Sequence, residues 1–132
     1  MNDLPFKATA LVTGLAIAGE AVALLIGMHF LSEAENPWIT LKNDLFLALD
    51  VGVGLGLVYL ALAHRGVAWS YILYVLVGFG LLTHGYREWE YLAGAGNAFC
   101  ANPPLFAVNT LKLAGLVTTL ILGWGLGPTQ GS

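Results

Sequence analysis

Two histidines in this chain each stand four residues before a glutamate, and this spacing suggests chemistry. The pairs are His29 with Glu33, in HFLSE, and His84 with Glu88, in HGYRE. Residues four apart share one face of a helix, so each segment, if helical, presents an imidazole and a carboxylate together. Imidazole nitrogens and carboxylate oxygens are ligands for zinc, iron and manganese. The two pairs therefore form a candidate metal site.

The same residues allow other interpretations. A b-type haem held between His29 and His84 is one, because facing helices of a bundle often hold cofactors. A quinone or proton site is another, since imidazole and carboxylate exchange protons near neutral pH. The competing interpretation is structural and carries more weight, because polar residues are expected wherever a membrane helix meets water.

A second set of polar residues lies inside otherwise apolar segments. Its members are Glu20, Asp50, Asn109 and Lys112. Ionisable groups inside a membrane are costly and usually have partners or functions. Asp50 and Lys112 are expected at similar depth, so they are candidates for a buried ion pair that is either structural or part of a proton relay or substrate-binding position. Glu20 is expected to be protonated, paired across the bundle, or used in function.

These residues belong to four apolar segments that are each long enough to cross a bilayer. A bilayer core about 30 Å thick needs about 20 apolar residues per helix, and residues 8–31, 44–63, 68–86 and 104–126 qualify. Residues 32–43 and 87–103 are predicted to be polar loops. The whole chain, residues 1–132, is therefore predicted to be a single all-α domain, an integral membrane protein with four transmembrane helices in an up-down bundle.

Composition supports this class and excludes others. The chain has 58% hydrophobic and 10% charged residues with a mean hydropathy of +0.77, whereas soluble domains have roughly 25% charged residues. A net charge of −3 gives no basic patch, so nucleic acid is not an expected partner. The single cysteine, Cys100, excludes an internal disulfide framework and every CxxC motif.

Orientation and packing are predicted less directly. Lysines and arginines near the helix ends are equally divided between the two sides, so the positive-inside rule does not decide. The acidic segments SEAEN and REWEY favour the outside, which places both termini in the cytoplasm. Small residues predict close helix contacts at two rows, one formed by Ala10, Gly14 and Ala18 and the other by Gly52 and Gly56.

No motif identifies a known family, and three hypotheses for function follow. The first is a subunit or accessory protein of a larger membrane complex, with His29 and His84 near a haem, metal or quinone. The second is a small proton-coupled transporter or channel that works as an oligomer and uses Glu20 or Asp50 and Lys112. The third is a membrane enzyme with the His/Glu cluster as its active site, so whether the chain is an enzyme stays open. The first hypothesis is favoured, because titratable groups concentrate at one membrane surface.

Overall fold

The protein consists of four long helices. The computed structural model describes residues 3–31, 37–63, 65–93 and 103–126, and within them the side chains of residues 27–31, 37–44, 91 and 103–105 are not described. The helices are α1 (Leu4–Leu31), α2 (Pro37–Leu62), α3 (Val67–Leu92) and α4 (Pro103–Leu126). All four contain a stretch long and apolar enough to span a membrane. The predicted four-helix membrane fold is confirmed, and the described part of the chain has no strand.

Two predicted loops are shorter than expected. Helix α2 begins at Pro37 rather than at residue 44, and α3 continues to Leu92 rather than ending at residue 86. Hydropathy detects only the part of a helix that lies in lipid, whereas backbone hydrogen bonding continues into the polar interface. Proline at the first position of α2 and α4 has the φ angle that a helix needs, and its missing N–H would have no intrahelical partner there.

The helices form a closed ring in chain order. Each packs against its neighbours in sequence, and α4 closes the ring against α1. Neighbouring helices are antiparallel: Asn109 near the start of α4 bonds to His84 late in α3, while a side chain on Gly123 would meet Leu73, early in α3. Contacts are most extensive between α1 and α2 and between α3 and α4. We refer to these pairs as the first and second hairpins.

The first hairpin is held by direct backbone contact. A Cβ added to Gly54 would lie 2.5 Å from the carbonyl oxygen of Gly14 and 2.6 Å from the backbone nitrogen of Ala18. Only glycine permits this approach, because any side chain would force the helices apart. The predicted row on α1 therefore packs within the chain. The predicted row on α2 does not pack as one surface within the chain: a Cβ on Gly52 would meet nothing, Gly54 makes the contact with α1, and a Cβ on Gly56 would meet Leu76.

The interior of the bundle differs between its two halves. Towards the chain termini it is apolar, and Phe6 packs edge-on against Trp69 with ring centroids 4.9 Å apart. The Trp69 indole donates a hydrogen bond of 3.2 Å to the carbonyl oxygen of Leu60. The other half, towards the α1–α2 and α3–α4 connections, contains the buried polar residues described below. Large apolar side chains cover the outside of the helices, as lipid contact requires. The protein is thus an integral, multi-pass membrane protein.

Candidate functional site

Asp50 lies at the centre of the polar half. It is six residues into the predicted span on α2, and its side chain is 1% exposed. One carboxylate oxygen, Oδ1, accepts a hydrogen bond of 2.6 Å from the Thr83 hydroxyl. The other, Oδ2, accepts one of 2.7 Å from Nη1 of Arg87. Burying a carboxylate is unfavourable unless it is paired and hydrogen-bonded, and both of its oxygens are satisfied here.

Three residues of α3 lie beside this carboxylate because of their spacing along the helix. Thr83 and Arg87 are four positions apart, so they share the face of α3 that meets α2. The Arg87 guanidinium also lies 5.8 Å from the centre of the Phe46 ring. A cation over an aromatic face is attracted by the ring quadrupole, so Phe46 helps to hold the guanidinium in the bundle. The adjacent His84 is fully buried, and its Nδ1 is 3.9 Å from Asp50 Oδ1.

The contacts of His84 assign the proton on its ring. Nδ1 lies 2.8 Å from the carbonyl oxygen of Gly80 and 3.1 Å from the Thr83 hydroxyl oxygen. A carbonyl oxygen only accepts, so Nδ1 carries the hydrogen and donates it. In the neutral ring Nε2 therefore has a lone pair, and no described residue donates to it. Nε2 is thus a buried proton acceptor or ligand atom.

A second ion pair lies on the opposite side of the bundle. The Lys112 ammonium on α4 binds the Glu20 carboxylate on α1. Lys112 is 5% exposed and Glu20 is 20% exposed. Lys112 also interacts electrostatically with Arg87 and Asp50, and His84 is within the fields of Lys112, Asp50 and Arg87. The two pairs are therefore electrostatically coupled to each other, and Lys112, Asp50 and Arg87 act on the buried His84 ring.

Asn109 extends this network to the end of α3. Its Nδ2 donates hydrogen bonds of 3.0 Å to the carbonyl oxygen of His84 and to Oε1 of Glu88. The Thr110 hydroxyl donates a third, of 2.7 Å, to the same Glu88 oxygen. Glu88 is only partly buried. These bonds join a carboxylate at the edge of the bundle to the residues that surround His84.

The predicted ion pair between Asp50 and Lys112 is wrong. Each residue has a different partner: Asp50 binds Arg87, and Lys112 binds Glu20. Asp50 and Lys112 do lie at similar depth, since both ion pairs are in the same half of the bundle. The partner depends on how each helix is rotated about its axis, which depth does not determine. Of the three states considered for Glu20, the structure shows pairing across the bundle.

The predicted His/Glu cluster is only partly within the described part of the chain. The side chain of His29 and all of Glu33 lie outside the described residues, as does Cys100. His84 is in the interior beside Asp50 rather than at the membrane surface, and Glu88 bonds to Asn109 and Thr110. Among the described residues no group of three or more His, Cys, Asp or Glu could hold a metal ion. The metal and haem sites that use both histidines stay predictions.

The inward positions of Arg87 and Thr83 were not predicted from the sequence. Arg87 was assigned to a loop because it follows the apolar run, yet it is 7% exposed and Thr83 is fully buried. A signal was present: Thr83, His84 and Arg87 occupy positions i, i+1 and i+4, which places all three on one side of a continuing helix.

Comparisons with known proteins give no further assignment. The chain matches no protein-family model, no curated protein and no solved structure.

Proposed function

We propose that this protein is a small proton-coupled membrane transporter that works as an oligomer or with other membrane subunits. One observation carries the proposal: both buried ion pairs join the first hairpin to the second. Glu20 on α1 binds Lys112 on α4, and Asp50 on α2 binds Arg87 on α3. Ion pairs placed at the interface between two helix pairs can control how those pairs move relative to each other.

Protonation would weaken that interface. A proton on Glu20 or Asp50 neutralises the carboxylate and leaves Lys112 or Arg87 without its counter-ion in a low-dielectric interior, which is strongly unfavourable. The hairpins themselves are packed more extensively, above all at Gly14 and Gly54, so each can move as a unit. Rocking of one rigid group of helices against another is an established route to alternating access in transporters.

The polar network also contains a proton relay. When Nε2 of His84 accepts a proton, the imidazolium can release the proton on Nδ1 to the Thr83 hydroxyl oxygen. In the same step Thr83 passes its own proton to Asp50 Oδ1, 2.6 Å away. The Thr83 oxygen gains one bond to hydrogen as it loses another. The net result is a neutral imidazole with its hydrogen on Nε2 instead of Nδ1, and a protonated Asp50.

The apolar half of the bundle blocks the path of a proton beyond Asp50. Among the described residues, Phe6, Leu57, Leu60, Trp69 and Leu73 are buried there and offer no polar path to the other membrane surface. A proton that reaches Asp50 can cross only if the hairpins separate in this half. Coupling between protonation and opening is the feature that separates a transporter from a channel.

Proteoliposomes containing a pH-sensitive dye test this proposal. An imposed pH gradient should drive proton uptake, and Glu20→Gln and Asp50→Asn should each abolish most of it. Asp3→Asn is the matched control and should leave uptake unchanged. Asp3 lies just before the candidate span Leu4–Ile26 and pairs with Lys7 and Arg65, away from the polar half of the bundle. Wild-type vesicles without uptake above that of empty vesicles, or full uptake in both folded variants, would refute the proposal.

The proposal includes an orientation. We place both termini in the cytoplasm, so the polar half of the bundle lies towards the outside. The chain contains one cysteine, Cys100, in the sequence between α3 and α4, so a membrane-impermeant maleimide reports the side of that connection directly. Labelling of intact cells supports the orientation, and labelling only after lysis reverses it.

A second candidate function is that of a redox subunit of a larger membrane complex. It is favoured by the anchoring of His84 Nδ1 to the Gly80 carbonyl, since ligating histidines usually donate their other ring N–H to such a group. The lone pair on His84 Nε2 could supply one ligand to a b-type haem or a divalent metal only if the helices separated to admit it, because His84 is fully buried; a bound haem would supply electron transfer. A purified sample with a Soret band that is lost in His84→Ala selects this function. The enzyme hypothesis is the weakest, because a fully buried His84 is not accessible to a substrate.

A further inference from the structure

The two interfaces between the hairpins differ in the buried side chains that line them. In the described part of the chain, nine side chains with a hydroxyl, amide, imidazole or charged group are buried. All but two of them belong to the polar half. The two others are Thr13 on α1, which is 7% exposed, and Thr119 on α4, which is 0% exposed. Among the described residues of α2 and α3, no such group is buried outside the polar half.

Thr13 and Thr119 continue the ion pair of Glu20 with Lys112 along one interface. Thr13 is seven positions before Glu20, and Thr119 is seven positions after Lys112. Each threonine therefore shares a helix face with the charged residue of its own helix. Because α1 and α4 are antiparallel, both threonines lie about 10 Å beyond the ion pair in the same direction. A Cβ on Gly115 would collide with the Thr13 hydroxyl, so this face of α1 meets α4.

Phe6 ends the same row, seven positions before Thr13. Its ring packs against Trp69 of α3, and a Cβ on Gly123 of α4 would lie 3.0 Å from its Cε2 atom. Phe6 thus joins the first hairpin to both helices of the second. We call this interface the α1–α4 seam: it is formed by Phe6, Thr13 and Glu20 on α1 and by Lys112, Gly115, Thr119 and Gly123 on α4.

The interface of α2 with α3 is fastened at the end of the bundle where Phe6 lies. Only residues 63–66 join the end of α2 at Leu62 to the start of α3 at Val67. The Trp69 backbone donates to the Gly66 carbonyl at 3.1 Å, and its indole donates across to the Leu60 carbonyl of α2 at 3.2 Å. A short covalent connection keeps these two helix ends together. Helices α1 and α4 are not consecutive in the chain, so no such connection holds the α1–α4 seam.

We propose that the two hairpins separate along the α1–α4 seam, with the α2–α3 connection as the pivot, and that this movement opens Glu20 to the membrane surface at the apolar end. The inference deepens the proposed function and rests on it, because it assigns the route by which transported protons leave. Once the seam is open, the hydroxyls of Thr13 and Thr119 offer hydrogen bonds to entering water, which the apolar α2–α3 interface does not.

Loss of the charge on Glu20 is the event that releases the seam. Lys112 faces Glu20 from α4, and Arg87 and Asp50 lie beyond it and interact with Lys112. A neutral Glu20 no longer holds Lys112 by an ion pair, so the side of the bundle without a covalent connection loses its charged contact. The pair of Asp50 with Arg87 joins α2 to α3, on the pivot side, and can stay intact while the seam opens.

Distances between spin labels in lipid bilayers test the opening without a transport assay. In a Cys100→Ser background, exposed positions carry the labels: Val12→Cys with Ile121→Cys across the seam, and Tyr59→Cys with Tyr71→Cys across the pivot. Glu20→Gln should lengthen the seam distance by more than about 2 Å, beyond the sliding of packed helices, and leave the pivot distance unchanged. Lowering the pH should do the same without Glu20→Gln, so the test does not depend on that variant folding. A pivot distance that lengthens as much as the seam distance, or a seam distance that does not lengthen, would overturn the inference.

A flux measurement tests the hydroxyls of the seam with a matched pair of variants. The Thr119 hydroxyl donates to the Gly115 carbonyl within the seam at 2.7 Å, and the Thr118 hydroxyl donates to the Ala114 carbonyl on the exposed face at 2.8 Å. Thr119→Val should lower proton uptake about fivefold, the effect of one lost hydrogen bond along the route, whereas Thr118→Val should retain it. Equal uptake in both variants would exclude the Thr119 hydroxyl from the route.

The two experiments separate this inference from the proposed function. Proton uptake by a protein whose seam distance never changes would overturn the seam and leave the proposed transporter intact. A seam that opens in Glu20→Gln, in a protein whose wild type shows no uptake, would support the movement and refute the transporter.

Discussion

The pairing of Asp50 with Arg87, rather than with Lys112, is a prediction that double-mutant cycles can measure. The first cycle combines Asp50→Asn with Arg87→Gln, and the second combines Asp50→Asn with Lys112→Gln. Each variant removes a charge and keeps a polar side chain of similar size. If the structure is right, Asp50 is coupled strongly to Arg87 and weakly to Lys112, whose carboxylate partner is Glu20.

The size of the coupling follows from the contact. With the donor and acceptor 2.7 Å apart, the attraction of two unit charges is about 6 kcal/mol at an effective dielectric constant of about 20. Desolvation and lost side-chain freedom offset much of this, and removing one partner of a buried pair costs about 3–5 kcal/mol. Because Asn can still accept from Arg87 or Thr83, we expect Asp50→Asn to lower the free energy of unfolding by about 3 kcal/mol.

Reversible unfolding in mixed detergent micelles, followed by helical circular dichroism, provides the assay. We expect a coupling energy of about 2 kcal/mol for Asp50 with Arg87, since hydrogen bonds to charged groups contribute about 1.5–3 kcal/mol. For Asp50 with Lys112 we expect less than about 1 kcal/mol, because exposed or indirect charge pairs rarely exceed this. Equal coupling energies, or a larger one for Lys112, would refute the assigned pairing and the link it provides between the hairpins.

Five further substitutions, two of them controls at exposed positions, test the packing by the same unfolding measurement. Gly54→Ala should cost about 1–3 kcal/mol because its Cβ has no room against α1, whereas Gly52→Ala has open space and should be neutral or stabilising; similar costs would contradict the close contact. Trp69→Phe should cost about 1 kcal/mol through its lost hydrogen bond, while Trp124→Phe on the exposed surface should stay within about 0.5 kcal/mol. Thr119→Val should change the free energy of unfolding by less than about 1 kcal/mol, because the Thr119 hydroxyl donates to the Gly115 carbonyl oxygen of its own helix.

The membrane class and the four spans were predictable because lipid imposes a simple requirement. Each crossing segment must be apolar over about 20 residues and must satisfy its backbone hydrogen bonds internally, which only a helix does within one segment. Helix ends were not predictable to the same degree. Hydropathy gave no reason to extend α2 back to Pro37 or α3 on to Leu92, since residues outside the lipid core can be helical or not.

The residues of the site were partly predictable. Glu20, Asp50, Asn109 and Lys112 were identified because polar groups inside a membrane rarely lack a purpose, and all four lie in the observed network. Arg87 was misplaced because a charge at the end of an apolar run is equally compatible with a loop and with a helix turned inward. Only the continuation of α3 distinguishes the two.

The sequence by itself determined that the chain crosses the membrane four times, and it identified Glu20, Asp50, Asn109 and Lys112 as polar residues at membrane depth, but not Arg87. The tertiary structure decided which of those residues meet. Partners depend on the rotation and the neighbours of each helix, which are set by contacts such as that of Gly14 with Gly54 and not by depth along the chain. This is why Asp50 and Lys112, predicted partners at the same level, instead belong to two ion pairs on different sides of one bundle.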